Sequence, residues 1–214
     1  MIFKILSIVF LDFVLKKNIK TDFVTLHVGA GTFKPVKTEI IEGHEMHAEF
    51  IDVSKKTIEN ILTNLSGNII PVGTTSLRTI ESLYWLGVKA IGNGQLAEEK
   101  LIELSQWECY ELEKLNIEPK QALEALLSFM TKNKLNRIIA KTHILIAPSY
   151  KVKIANALIT NFHQPQSTLL LLVAALIGDD LPTGQSGWKK VYQYALENDF
   201  RFLSYGDGCL LWIQ

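Results

Sequence analysis

Residues 160–177, T-N-F-H-Q-P-Q-S-T-L-L-L-L-V-A-A-L-I, constrain this chain more than any other stretch. The apolar run at 157–159 leads into it with the composition of a buried strand. The following N-F-H-Q-P cannot extend that strand. Pro165 lacks a backbone donor, and the polar side chains compete for backbone bonds. Ser167 or Thr168 then predicts an N-cap for a strongly apolar helix, which Gly178 ends. The result is a strand, a polar elbow carrying His163, and a buried helix. Such an elbow suits a pocket rim. The alternative is a rigid turn whose Asn161 and His163 only satisfy backbone groups.

The same unit recurs earlier. Residues 68–72 read as a strand, Gly73-Thr74-Thr75-Ser76 as a short hydroxyl-rich loop, and the residues from Leu77 to Gly87 as a helix. Free amides at a helix start, together with three hydroxyls, make an anion seat, with Arg78 as a charged partner. Without a Walker lysine, nucleoside triphosphate binding is not indicated. The competing reading is an ordinary helix cap beside a surface arginine. Residues 23–28 form a third apolar run that ends in G-A-G-T at Gly29–Thr32. Gly29 and Gly31 let a backbone turn tightly and approach a ligand. No third glycine follows, so this is not a dinucleotide fingerprint.

H-E-M-H-A-E at residues 44–49 offers His44, His47 and Glu49 as ligands in principle. It is not H-E-x-x-H, and its spacing fits no zinc loop, so a polar pocket wall is the preferred reading over a metal site. A strand over 47–53 places His47, Glu49 and Ile51 on one face. Ser54 caps the helix that follows, and Pro119 opens another, with Leu123, Leu126, Leu127 and Met130 on one side. Trp107 and Tyr110 sit in a polar stretch read as helix plus irregular surface. Lys132, Lys134, Arg137 and Lys141 form a basic run whose default reading is a solvated face, with contact to a phosphate backbone as the alternative. Helix is expected again over 188–196. Near the C-terminus, Gly-Asp-Gly at 206–208 reads as a turn into a last strand. Asp207 there is a candidate for holding a ribose hydroxyl or an amine.

Alternating strands and helices predict an α/β fold: one domain over residues 1–214, with 1–22 as an atypical lead-in. Its central sheet is expected to be mixed and largely parallel, flanked by helices. Residues 25–28, 69–72, 144–147 and 157–160 should share that sheet, and the loops at 29–32, 73–76 and 161–165 should meet at its C-terminal edge. Lys plus Arg and Asp plus Glu both number 22, which argues against sequence-independent nucleic-acid binding by bulk charge. Cys109 and Cys209 are the only cysteines, far apart and without ligand spacing. The apolar residues 1–15 are interrupted by Lys4 and Asp12 and fall short of the ~20 residues a membrane span needs. A cytoplasmic protein with no membrane association is expected.

Five segments in order carry a resemblance. They are T-L-H-V-G-A-G-T-F at 25–33, G-H-E-M-H-A-E at 43–49, V-G-T-T-S-L-R at 72–78, N-F-H-Q-P-Q-S-T-L at 161–169 and S-Y-G-D at 204–207. Together, from about Phe23 to the C-terminus, they resemble the S-adenosylmethionine:tRNA ribosyltransferase-isomerases of queuosine biosynthesis. The resemblance implies transfer of the ribosyl part of S-adenosylmethionine to 7-aminomethyl-7-deazaguanine in tRNA. The product is epoxyqueuosine, and adenine and methionine leave. S-adenosylmethionine is then a consumed substrate, and no cofactor or metal is expected. The family also carries a β-barrel domain, and no counterpart of it is expected within these 214 residues.

On that resemblance, the C5′ hydrogens beside the sulfonium call for a base, and His27, His47, Glu49 and His163 are the candidates. Asn161 and His163 suit the departing adenine. Thr74, Thr75, Ser76 and Arg78 suit the methionyl carboxylate. Gly29, Gly31 and Thr32 suit close approach of the nucleoside. The competing functions are a non-catalytic remnant that binds S-adenosylmethionine or a protein partner, and a metal-dependent hydrolase using His44, His47 and Glu49.

Overall fold

The computed structural model describes residues 16–17, 19–27, 46–92, 102–178, 186–203 and 206–213. The apolar lead-in at 1–15, the glycines Gly29 and Gly31 with Thr32, and His44 lie outside the described residues. The chain has a mixed α/β architecture. Its organising element is the long helix α2 (Thr74–Gly92). Ahead of it come β1 (Thr25–His27), β2 (Glu49–Ser54) and α1 (Lys55–Thr63). After it come β3 (Ile102–Leu104), α3 (Glu108–Leu112), α4 (Pro119–Lys132) and β4 (Arg137–Thr142). The chain closes with β5 (Ala157–Asn161), α5 (Thr168–Ile177), α6 (Gly187–Glu197) and β6 (Gly208–Trp212).

Local chemistry sets the helix ends as expected. Ser54 caps α1 by accepting from the Thr57 amide at 3.0 Å, and Ser167 caps α5 by accepting from Leu170 at 3.2 Å. Pro119 occupies the first turn of α4, where its missing donor is no loss. Gly178 follows α5 at φ +75°, a conformation that favours glycine.

The sheets depart from expectation. A four-stranded sheet runs β1-β2-β4-β3, and β5-β6 form a separate pair. The β1–β2, β2–β4 and β5–β6 pairings are antiparallel, and only β3–β4 is a parallel ladder. The expected single, largely parallel sheet is therefore wrong on both counts. Two of its supposed strands are not strands. Residues 69–72 touch β5 through one parallel bridge, Val72 to Ile159. Pro71 offers only its carbonyl, to Ile159 N–H at 3.0 Å, and a prolyl residue cannot donate to a ladder. Residues 144–147 have several of their backbone groups taken by side chains. Arg78 donates to the Ile144 carbonyl, the Tyr110 hydroxyl donates to the Leu145 carbonyl, and Ala147 N–H donates back to that hydroxyl. The polar stretch read as helix and irregular surface contains β3 as well as α3.

Residues from both sheets join one apolar core: Ile51, Val53, Ile138 and Ala140 from the larger, Leu158 and Leu211 from the smaller. α2 touches β1, β3 and β5, and its main neighbour is α4. Leu77, Leu83 and Leu86 on α2 are fully buried. Each contributes roughly 1.5–3 kcal/mol of apolar burial. Gly87 is where α2 and α4 come closest. A Cβ there would stand 2.1 Å from the Ala122 carbonyl oxygen. Among the described residues no helix is long and apolar enough to cross a membrane.

Candidate functional site

Arg78 lies one turn into α2, on a helix that is buried along almost its whole length. Glu49 opens β2 and faces inward. The two form an ion pair, with Arg78 only 4% and Glu49 only 1% exposed. Arg78 Nη1 donates to Glu49 Oε2, and its Nε donates to the Ile144 carbonyl at 3.2 Å. Its second terminal nitrogen, Nη2, is buried and has no partner among the described residues. Desolvation presses the guanidinium pKa down, and the charge and hydrogen bond of Glu49 oppose that. Arginine stays protonated in proteins, so the site holds a buried cation, its counter-charge and a terminal nitrogen whose donors are still to be used.

The first turn of α2 is adjacent. Gly73 sits at φ +94° and donates to the Ile159 carbonyl at 2.8 Å, so the chain turns sharply from the Val72 bridge into the helix. Thr74, Thr75 and Ser76 form that first turn rather than a loop, and the first amides of a helix have no intrahelical acceptor. Thr74 is buried. The Ser76 hydroxyl donates back to the Val72 carbonyl.

Because residue 72 bridges 159 in parallel, the start of α2 and the elbow after β5 lie at the same end of their segments. An aromatic cage fixes the elbow. Phe162 is buried among Tyr192, Phe200 and Phe202, with ring centroids 5.3–5.6 Å away. Leu203 N–H holds the Phe162 carbonyl at 2.9 Å, and His163 N–H donates to the Tyr192 hydroxyl at 3.0 Å. The His163 Nε2 shares a hydrogen bond of 3.0 Å with the Thr160 hydroxyl. Burial lowers the His163 pKa to about 4, so the ring is neutral at physiological pH and its basicity is weakened.

Other candidate residues lie elsewhere. His27 and His47 are exposed. His47 precedes β2 instead of sharing a buried strand face with Glu49, as had been expected. Asn161 Nδ2 reaches the Gly206 and Asp207 carbonyls at 3.3 and 3.4 Å. Asp207 closes the last turn by accepting from the Arg201 backbone and guanidinium, which holds its carboxyl below the usual range. Among the described residues no group of three or more metal-ligating side chains is close enough to hold an ion.

Two features escaped the sequence reading. The Glu81 carboxylate is fully buried and accepts from the Tyr150 hydroxyl and Lys153 N–H at 2.8 Å, from Ile154 N–H at 2.9 Å and from Ala155 N–H at 3.3 Å. Burial pushes its pKa up and these donors pull it down. Burial is the larger effect, so the carboxyl stands above its ordinary range even with these four donors around it. Trp85 Nε1 also donates to the Tyr150 hydroxyl, at 2.7 Å. His143 ties the Met46 carbonyl to Glu103 at 3.1 and 2.8 Å, fixing the approach to Glu49. The available signal was a pair of charges, Arg78 and Glu81, among the apolar residues Leu77, Ile80, Leu83 and Tyr84 of α2.

These features define a class: an α/β protein with a buried, charge-compensated arginine beside a helix N-terminus and a neutral histidine on the neighbouring elbow. A family model described as "Queuosine biosynthesis protein" matches residues 7–211, and the chain belongs to that family. The S-adenosylmethionine:tRNA ribosyltransferase-isomerase of Ruegeria pomeroyi is 39% identical over 190 residues, covering 88% of this chain and 40% of that protein. The protein of the same name from Thermoanaerobacter sp. is 35% identical over 203 residues, covering 94% and 45%. A solved S-adenosylmethionine tRNA ribosyltransferase from Thermotoga maritima shares the fold, with TM-score 0.53 and 24% identity over 95% of this chain and 48% of that one. The chain thus spans less than half the length of these relatives.

Proposed function

We propose that this chain binds S-adenosylmethionine and takes part in moving its ribosyl moiety onto 7-aminomethyl-7-deazaguanine in tRNA, giving epoxyqueuosine and releasing adenine and methionine. The observation that carries the reading is the unpartnered, buried Nη2 of Arg78 beside the first turn of α2, in a member of the queuosine family. The methionyl carboxylate would take that donor and the amides of Thr74, Thr75 and Ser76. Glu49 then serves as the orienting counter-charge of Arg78 rather than as a base. His163, neutral and placed on the elbow, is the preferred group to accept a proton from the carbon beside the sulfonium. Asn161 keeps its side-chain oxygen for the adenine amine while its nitrogen braces the last turn. Gly29, Gly31 and Thr32 are assigned to close approach of the nucleoside. His27 and His47, being exposed, rank behind His163. Asp207, engaged by Arg201, ranks last as a substrate ligand.

The test uses purified chain, S-adenosylmethionine and tRNA carrying the deazaguanine base. Calorimetry should detect S-adenosylmethionine binding that weakens at least about tenfold in Arg78→Ala, as loss of a charge-assisted bond predicts. Mass spectrometry of the tRNA should detect epoxyqueuosine, with adenine released in equal amount. No binding of S-adenosylmethionine would sink the proposal. The short span relative to the relatives favours one second reading, binding without turnover, and binding with no product would select it.

A further inference from the structure

The basic run left as a solvated face in the sequence occupies a distinctive place in the fold. Between Glu124 and Asp179 the chain has no acidic residue but six lysines and arginines, in a protein with no net charge. Four of these, Lys132, Lys134, Arg137 and Lys141, run from the end of α4 along β4. Strand alternation puts Arg137, Ile139 and Lys141 on the outer face of the four-stranded sheet, opposite the buried Ile138, Ala140 and Thr142. The ladder registers align His27, Phe50, Lys141 and Glu103 across that face, with Thr25, Asp52 and Ile139 in the next row. The face is open: Phe50 is 39% and Ile139 54% exposed. Lys141 Nζ stands 5.5 Å from the Phe50 ring centroid. The nearby carboxylates are engaged, Asp52 by Arg137 at 2.6 Å and Glu103 by His143.

We propose that this outer face receives the unpaired loop of an RNA. A base would stack on Phe50, with His27 beside it in the row, and backbone phosphates would meet Lys141, Arg137 and Lys134. An exposed ring on a sheet face stacks best with a base already out of a helix, and cations at strand spacing suit the adjoining backbone. Phe50 follows Glu49 directly, so the stacking row lies at the end of the sheet where Arg78 is anchored from the opposite face. The inference rests on the proposed function, which supplies an RNA substrate.

The test is fluorescence anisotropy of the full chain with an RNA hairpin of anticodon-arm length, an unlooped duplex of the same stem as control, and a salt series. S-adenosylmethionine affinity and thermal midpoint are measured on the same preparations. Phe50→Leu, which keeps an apolar side chain, and Lys141→Ala should each weaken hairpin binding by about tenfold. Lys141→Ala should also flatten the salt dependence by roughly one phosphate contact. Lys120→Ala, a charge loss at the opposite end of α4 from Lys132, should change neither. The proposal is overturned if both variants stay folded and bind the hairpin as the parent does, if the parent does not bind the hairpin, or if the duplex binds equally well. It is also overturned if Phe50→Leu abolishes self-association while hairpin binding is untouched, since the face would then belong to a second copy. Hairpin binding that responds to these variants in a protein with no S-adenosylmethionine affinity would refute the functional reading and leave the RNA face standing.

Discussion

Removing either member of the Glu49–Arg78 pair should be among the most damaging single changes to this protein. Both side chains are at least 95% buried, so neither can be rescued by water. Glu49→Leu leaves a buried guanidinium whose only remaining acceptor among the described residues is the Ile144 carbonyl. Arg78→Met leaves a buried carboxylate. Breaking such a pair from one side costs about 3–5 kcal/mol, a large part of the roughly 5–15 kcal/mol that holds a domain together. With a urea dependence near 2 kcal/mol per molar, each single variant should unfold at about 2 M lower urea. The double variant Glu49→Leu/Arg78→Met replaces the pair with apolar groups of similar size, and it should lose far less than the two singles together. That rescued protein should still fail to bind S-adenosylmethionine, which separates the stability role from the ligand role. Urea titration of the four proteins, followed by calorimetry on the double variant, checks both. Single variants that lose under about 1 kcal/mol, or a double variant that loses the full sum, would refute the claim of a coupled buried pair. Normal ligand affinity in the double variant would remove Arg78 from the site.

His163 predicts a pH effect of defined sign. Its folded-state pKa of about 4 lies below the ordinary 6.5, so the unfolded chain takes the proton first. Stability should therefore fall as pH drops from about 6.5 to about 4, by at most about 3 kcal/mol, and His163→Gln should flatten that part of the denaturation-versus-pH curve. Equal slopes in both proteins would contradict the burial of the imidazole. Gly87→Ala should lower stability by about 2 kcal/mol or more, since its methyl group would meet the Ala122 backbone at 2.1 Å; an unchanged melting temperature would mean that α2 and α4 can separate freely. Glu81→Gln turns one acceptor into a donor facing backbone N–H groups and should cost about 2–4 kcal/mol in urea titration, whereas a neutral result would argue that the carboxyl is already protonated.

Much of the local structure was legible in the chain. The capping serines Ser54 and Ser167 and the helix-ending Gly178 act through bonds to residues three or four positions away, and Pro119 acts through its own fixed backbone angle, so their neighbours in sequence suffice to place them. The elbow at 161–165 follows for the same reason. The motif residues also led to the right family, because short segments in fixed order survive without knowledge of how they meet.

Sheet membership was decided by the tertiary structure. Apolar runs at 69–72 and 144–147 have strand composition, but a strand exists only when a neighbour accepts and donates along it. At 69–72 Pro71 breaks the ladder, and at 144–147 the Arg78 and Tyr110 side chains take the backbone groups first. Site chemistry was settled the same way. Taken alone, Arg78 reads as the charged partner of an anion and Glu49 as a possible base. They lie 29 positions apart, and only the fold makes each the other's counter-ion. Glu81 gathers its donors from 69 to 74 positions away. Sequence fixes what each residue can donate, accept or bury, and to which near neighbour. Which distant group fills the remaining valence depends on helix packing and strand register, which are properties of the whole folded chain.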